Sequence, residues 1–390
     1  MNDKKIFELI KKEEARQKKV INLIASENYC SKEVLQALGS VFDNKYAEGY
    51  PGARYYKGNV FVDELETLCQ NRALKAFGVK EKEWAVNVQP LSGANANLAV
   101  YLGLVPKGEK IMGMTLSSGG HLSHGQKVSI TGKFWESVPF EVDSKTEVLD
   151  YEELKKKALK EKPALIVCGF TAYPRLVDWK KFREIADATG AILMADMSHL
   201  AGLVAGKAYP SPFPFVDVVT TTTHKTLRGP RGAMIFSRRD DRELNKKIDK
   251  AVFPGLQGGP HESQIAGIAV ALEEAGRADF KKYAKQIIKN AKAFSKALQK
   301  GGIRVVSGGT DSHMILVDVW QGGKGVPAKE VVDRLEKAGI IANVNTIPGE
   351  TRSPFDPSGI RFGTAAETTR GKKEKDFQKI AERIIDIISR

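Results

Sequence analysis

Cysteine is scarce: Cys30, Cys69 and Cys168 are the only three in 390 residues. Odd in number and widely spaced, they supply neither a disulfide framework nor a zinc knuckle, and they read as buried or incidental thiols. No apolar run approaches the roughly 20 residues needed to span a bilayer. The opening residues lead straight into a charged segment without a signal-peptide core, so a soluble, cytoplasmic protein is expected. Internal repeats and low-complexity tracts are also missing. Positive charge, in contrast, is abundant, with a formal net charge of +14. That balance raises nucleic acid as a partner. The lysines, however, are spread over 155–160, 281–300 and 372–379, mixed with acids and without interleaved aromatics, which favours solvated helix faces. A second reading is a positive field that draws in an anionic substrate or cofactor. With 42% hydrophobic residues the chain can build a large core, and its length points to two domains.

One lysine stands at the exit of a strand. The β-branched run Val218, Val219, Thr220, Thr221, Thr222 reads as a buried strand, while Gly229, Pro230 and Gly232 forbid a regular element soon after it. Lys225 therefore sits on a constrained loop, beside hydroxyls and His224, where it is placed to lose its proton and attack a carbonyl. The aldehyde of pyridoxal phosphate is the obvious carbonyl; a solvated surface lysine is the alternative. Upstream, an apolar run over 191–196 ends in Asp196, followed by Met197, Ser198 and His199. That acid precedes Lys225 by roughly thirty residues, one strand-and-crossover unit. A carboxylate at a strand end can hold the proton on a pyridine nitrogen, which keeps such a ring an electron sink.

Elsewhere strand and helix patterns alternate. Strands are expected at 84–88, 110–115, 164–169, 191–196, 218–222 and 233–236, and helices at 3–19, 60–77, 95–104, 179–189, 264–277 and 280–300. Residue types able to do chemistry collect at strand ends, the doubly wound pattern that binds ligands at carboxyl edges. Ser92, Gly93 and Ala94 open a helix whose free N–H groups suit a phosphate. His121 and His124 could suggest a metal pair, but no third ligand is near and the glycines around them favour a loop that lays a flat ring beside a flat cofactor. The loop 44–56 carries Tyr46, Tyr50, Tyr55 and Tyr56 around Glu48, either a proton-transfer site or a packed aromatic loop with an incidental acid. Beyond about residue 300 the patterns make a smaller α+β unit, with strands at 304–307, 314–318 and 340–344, a helix at 327–338, and a strand carrying Arg361. A lone charge between apolar neighbours is costly without an anion, so Arg361 meets either a ligand carboxylate or an internal salt bridge.

Taken together, LIASEN at 23–28, NKYAEGYPG at 44–52, VQP at 88–90, GGHL at 119–122, VTTTTHK at 219–225, GPRG at 229–232 and QGGP at 257–260 resemble the serine hydroxymethyltransferases. The resemblance covers nearly the whole chain. It implies the aspartate-aminotransferase-like fold (fold type I), α/β with a mostly parallel sheet in the large domain and a smaller C-terminal α+β domain. The corresponding division is an N-terminal arm and helices over 1–44, a large domain over 45–276 and a small domain over 277–390. It also implies reversible transfer of the hydroxymethyl group of L-serine to tetrahydrofolate, or to a modified pterin, leaving glycine and 5,10-methylenetetrahydrofolate. Pyridoxal phosphate is the implied cofactor, and the assembly a homodimer or dimer of dimers with shared sites.

By that resemblance Lys225 carries the cofactor, Asp196 pairs its ring nitrogen and His121 stacks on the ring. Ser92, Gly93 and Ala94 cradle the phosphate, while Thr171, Thr222, His224 and Arg231 line the pocket. Ser26, His199 and Arg361 surround the substrate, with Arg361 on its carboxylate. The loop with Tyr46, Glu48, Tyr55 and Tyr56, and the loop with Gly259, reach into the neighbouring subunit's site, where Glu48 and Tyr56 act on the substrate. Leu116, Gly120, His121, Leu122, Asn345, Ser353, Pro354 and Phe355, with Tyr55, match the folate-binding stretches. Ser118, Ser198, Asn95 and Thr171 depart from the commoner pattern of the family. Relatives also continue through a further helix beyond the one expected at 372–389, so an apolar groove, open or filled by neighbouring segments, is expected there. A folate-independent aldolase acting on threonine-like amino acids, and a nucleic-acid-binding protein on the same scaffold, are the alternatives; the retained folate and catalytic residues count against both.

Overall fold

The computed structural model describes residues 3–389. Seven strands form the central sheet: β1 (Trp84–Asn87), β2 (Lys110–Met114), β3 (Glu136–Phe140), β4 (Leu165–Gly169), β5 (Ile192–Asp196), β6 (Val218–Thr222) and β7 (Ala233–Arg238). Their order is β1-β7-β6-β5-β4-β2-β3, and β7 alone runs against the others. β4 and β6 are buried along their whole length, as near-continuous apolar or β-branched runs require when both sheet faces are covered. Alternation divides each strand between two cores. Leu165 and Val167 pack on one face with Met194 and Ile235, while Ile166 and Cys168 pack on the other with Leu193 and Phe236. The sequence pattern did not announce β3. Its Glu136 and Pro139 are exposed and interrupt the apolar run, which an edge strand tolerates.

The helix after β1 spans Gly93–Leu104 and starts two residues earlier than its apolar pattern suggests, so Gly93 and Ala94 occupy its first turn. The helix Val60–Phe77 ends at Gly78, whose φ of 70° gives the left-handed stop expected of glycine.

A second, antiparallel sheet contains β8 (Arg304–Val305), β9 (Met314–Asp318), β10 (Asn343–Asn345) and β11 (Gly359–Gly363) in the order β8-β9-β11-β10. The single strand expected at 340–344 is split. Ile340–Ile341 pairs in parallel with Ile21–Asn22 of the N-terminal arm, and only Asn343–Asn345 joins the sheet. Leu23 is consequently buried in the same core as Phe294, Ile315 and Phe362. The helix Ala278–Lys300 serves both cores, with Phe280, Ala284 and Ile287 in the larger and Ala291, Phe294 and Leu298 in the smaller.

The first helix, Lys4–Lys19, is capped by Asp3 and buries none of its residues, leaving Ile6, Phe7, Leu9 and Ile10 exposed. Among the described residues no helix is long and apolar enough to cross a membrane. The last helix, Glu374–Ile388, buries Phe377, Ile380, Ala381 and Ile384. Beside it lies a cleft that mixes Lys296, Lys300, Gln378 and Glu382 with Ala293, Ala297 and Ile385.

Candidate active site

Because β1, β2, β4, β5 and β6 run in one direction, the segments that follow them emerge along one edge of the sheet. Gly169 and Asp196 are register partners, and a Cβ on Gly169 would lie 2.6 Å from the Asp196 Cβ. Beyond these strand ends lies a cavity of about 380 Å³. Twelve of the residues singled out in the sequence line it: Ser26, Ser92, Gly93, Ala94, His121, Thr171, Asp196, His199, Thr222, His224, Lys225 and Arg231.

Asp196 is buried at the bottom and takes four hydrogen bonds. Oδ1 accepts from the Ser198 backbone N–H (3.1 Å) and hydroxyl (2.6 Å), and Oδ2 accepts from the Asn97 amide (2.9 Å). The fourth comes from His124, whose Nε2 lies 3.0 Å from Oδ2. The His121 backbone N–H points at His124 Nδ1 (3.4 Å), so Nδ1 is the acceptor and Nε2 carries the proton given to Asp196. Burial alone would raise the Asp196 pKa, but the bond from His124, the Lys225 charge and the Asn97 amide outweigh it and hold the carboxylate well below its usual range.

Asn97 is the hub of this floor. It accepts from the Thr220 hydroxyl (2.7 Å) and donates to Ser123 Oγ (2.8 Å) as well as to Asp196. The Ser123 hydroxyl then donates to His121 Nδ1 (2.7 Å), as does the Ser123 backbone N–H (3.1 Å). Burial pushes His121 down to about 4, so its ring is neutral and carries its proton on Nε2.

Opposite the acid, Lys225 Nζ donates to Thr222 Oγ1 at 3.1 Å. Burial pushes this amine down to about 8; Arg361 and Arg231 add to the fall and Asp196 opposes it. At one end of the cavity the helix Gly93–Leu104 begins without any side-chain cap, leaving first-turn N–H groups for a ligand. A Cβ at Gly93 would lie 2.7 Å from Thr222 Cγ2, so only glycine lets the helix start sit this close to β6. His224 also lines the cavity; its Nδ1 is buried without a partner among the described residues, and burial pushes that ring down to about 3. These features fit pyridoxal phosphate: an anion site, an ionised acid and a largely desolvated amine share one cavity.

At the boundary with the smaller unit, His199 stacks on His313, with 3.2 Å between His199 Nδ1 and His313 Nε2. His313 Nε2 also lies 3.2 Å from the Ala25 carbonyl, next to Ser26. The carbonyl can only accept, so His313 Nε2 bears the proton. Arg361, buried on β11, donates from Nη1 to the Thr171 carbonyl (2.8 Å) and from Nη2 to Asn343 Oδ1 (3.2 Å). Among the described residues its Nε has no partner, and burial lowers its pKa to about 10. Among the described residues no acid pairs with it, which removes the internal salt bridge that the sequence left open.

A family model described as serine hydroxymethyltransferase matches residues 1–384. The chain belongs to the serine hydroxymethyltransferase family. It is 53% identical over 369 residues to a serine hydroxymethyltransferase of Desulfotalea psychrophila, covering 95% of this chain and 84% of that one. It is 54% identical to one of Methanosarcina barkeri (98% and 91% covered) and 49% identical to one of Caenorhabditis elegans (97% and 78%). The family is fold type I, in keeping with the α/β fold and its mostly parallel sheet.

Other residues marked by the resemblance to serine hydroxymethyltransferases stand outside the cavity. Tyr46 and Tyr56 meet edge to face at 5.1 Å, the Tyr46 hydroxyl lies 3.4 Å from Glu48 Oε1, and a Cβ on Gly259 would lie 3.2 Å from the Tyr46 ring. Tyr55 is 74% exposed and packs on Phe253. These residues cluster together but do not line the Lys225 cavity of their own chain. Leu116 and Gly120 do not line the cavity either, but their carbonyls are held by hydroxyls. The Thr346 hydroxyl, next to Asn345, donates to the Leu116 carbonyl (3.1 Å), and the Thr171 hydroxyl donates to that of Gly120 (2.8 Å). Leu122 is exposed, as is Phe355 at 90%; Phe355 follows Ser353 and Pro354 in a loop where Ser353 Oγ accepts from the Phe355 N–H (3.3 Å). Sequence reasoning missed Asn97, Ser198 and His313 as parts of the site, and weighed His124 only as a metal ligand. Asn97 had one available signal, its place one turn beyond Gly93 on the same helix face.

Proposed function

We propose that this chain binds pyridoxal phosphate in the Lys225 cavity and transfers the hydroxymethyl group of L-serine reversibly to tetrahydrofolate, or a modified pterin, leaving glycine. The observation that carries this reading is the pairing of an amine lowered to about 8 with a fourfold hydrogen-bonded carboxylate in one cavity. When bound, the cofactor supplies an electron sink for the bond that breaks at the substrate α-carbon. The first turn at Ser92, Gly93 and Ala94 receives the phosphate. Asp196, kept anionic by His124, Asn97 and Ser198, would hold a proton on the ring nitrogen, and neutral His121 would pack beside the ring. Lys225 is neutral in roughly a tenth of molecules at pH 7, so it would hold the cofactor through its amine and could carry a proton near the substrate α-carbon. Arg361 receives the serine carboxylate, and by fixing it decides which α-carbon bond is aligned for cleavage. Ser26 and His199 border the substrate, and Thr171, Thr222, His224 and Arg231 complete the pocket.

Glu48 and Tyr56 are assigned to proton movement at the hydroxymethyl group, from the neighbouring subunit of a homodimer or dimer of dimers. Their separation from the Lys225 cavity supports this assignment, as does the Tyr46–Gly259 cluster beside them. Leu116, Gly120, Leu122, Asn345, Ser353, Pro354, Phe355 and Tyr55 are assigned to the folate. The division into 1–44, 45–276 and 277–390 and a cytoplasmic location belong to the same proposal. The holoenzyme is tested with glycine and reduced folate, singly and together, for a long-wavelength absorption band that needs both. Lys225→Ala is expected to lose serine turnover. Cleavage of β-hydroxy amino acids that is indifferent to folate, with no such band, would favour the aldolase instead.

A further inference from the structure

Arg361 and Asn343 are register partners across β11 and β10. The Asn343 amide nitrogen donates to the Val344 carbonyl at 2.9 Å, and this anchors the amide so that its oxygen is the end turned to the guanidinium. On the other side, the Thr171 carbonyl takes an N–H from Nη1. Two fixed acceptors from different parts of the fold determine the plane of the guanidinium, while the buried Nε–H has no partner among the described residues. Both acceptors are neutral, so the full charge of Arg361 is left for a ligand. A carboxylate at position 343 would instead form a charge-assisted pair with Arg361.

We propose that Asn343 is a positioning residue for substrate binding: it sets the plane of Arg361 for the α-carboxylate, and its amide keeps the arginine's charge available. This rests on the reading of Arg361 as the carboxylate anchor. Asn343 itself acts only through the arginine.

The experiment measures kcat and KM for L-serine, and competitive inhibition by acetate, on holoenzymes carrying Asn343→Ala, Asn343→Asp and Arg361→Ala. Loss of one hydrogen bond to a charged group predicts a rise of about tenfold in KM for Asn343→Ala, with kcat changed less than about twofold. The nearly isosteric Asn343→Asp is expected to be worse, about a hundredfold in KM, and to lose acetate inhibition because its own carboxylate occupies Arg361. If Asn343→Asp binds serine and acetate as well as Asn343→Ala or better, the proposal is overturned. It is also overturned if both variants lower kcat with KM unmoved, since that is the mark of a structural role. Arg361→Ala separates the two levels. An unchanged serine KM there would sink the anchor reading itself, whereas a large rise alongside silent Asn343 variants would sink only the role of Asn343.

Discussion

Replacing Lys225 by methionine in the cofactor-free protein removes an amine that burial pushes from its ordinary 10.5 down to about 8. A fall of that size means that burying the ammonium form costs about 3 kcal/mol relative to the unfolded chain. The sign follows from proton counts. Between about pH 8 and 10.5 the unfolded chain binds more protons at this residue than the folded one, so wild-type stability rises with pH across that window. Below pH 8 the full cost is present; above 10.5 it is gone. Methionine has no such dependence and a similar length. Its own loss is the Nζ–Thr222 hydrogen bond, about 1 kcal/mol. The expected net effect is therefore a variant about 2 kcal/mol more stable than wild type at pH 7, with the difference shrinking and then reversing toward pH 10.5. Urea unfolding of both cofactor-free proteins at several pH values reads this directly, with equal m-values as the check that only stability has changed. A methionine variant less stable at pH 7, or a gap that does not change with pH, would refute the claim that Lys225 is held as a desolvated amine.

Two further outcomes follow from close contacts elsewhere. Gly93→Ala places a methyl group 2.7 Å from Thr222 Cγ2 and should push the first helical turn off β6; pyridoxal phosphate binding by the cofactor-free protein is expected to weaken at least about tenfold with an unchanged far-ultraviolet circular dichroism spectrum, and equal affinity would count against the phosphate assignment. Glu262 is buried against Glu66 and receives no N–H among the described residues, so its carboxyl is placed to share a proton with Glu66, which is itself paired with Arg54 at 2.7 Å and bonded by Gln89. Burial first, then the Glu66 charge, raises the Glu262 pKa, so folding stability should fall as pH rises above its ordinary 4.5. Glu262→Gln should match wild-type Tm near pH 5 and exceed it at pH 9, and a parallel pair of Tm curves would show that this carboxyl is not held neutral.

How far the site could be read in advance depended on how local each feature was. β6 and its exit were legible because β-branched residues and glycines act within a few positions. The same held for the apolar run ending in Asp196. The split of 340–345 was not legible, because no glycine or proline interrupts the run 340–345 and only the arm at Ile21–Asn22 draws the first two residues away. β3 was lost for a different reason: an edge strand needs no continuous apolar pattern. His124 was weighed as a metal ligand because its partner, Asp196, lies 72 residues away.

The sequence by itself determined the inventory and its order: a lysine and an acid at successive strand exits, a small-residue helix start, and an arginine between apolar neighbours. These depend on residue type and on periods of two or three to four positions, which are properties of a short stretch. The tertiary structure decided who meets whom. It put four donors around Asp196, left Arg361 without an acid, and gave it Asn343 and Thr171 as neutral supports. It also gathered Tyr46, Tyr56 and Gly259 away from the cavity of their own chain. Such pairings are set by sheet order and crossover packing over tens to hundreds of residues, and no local pattern encodes them.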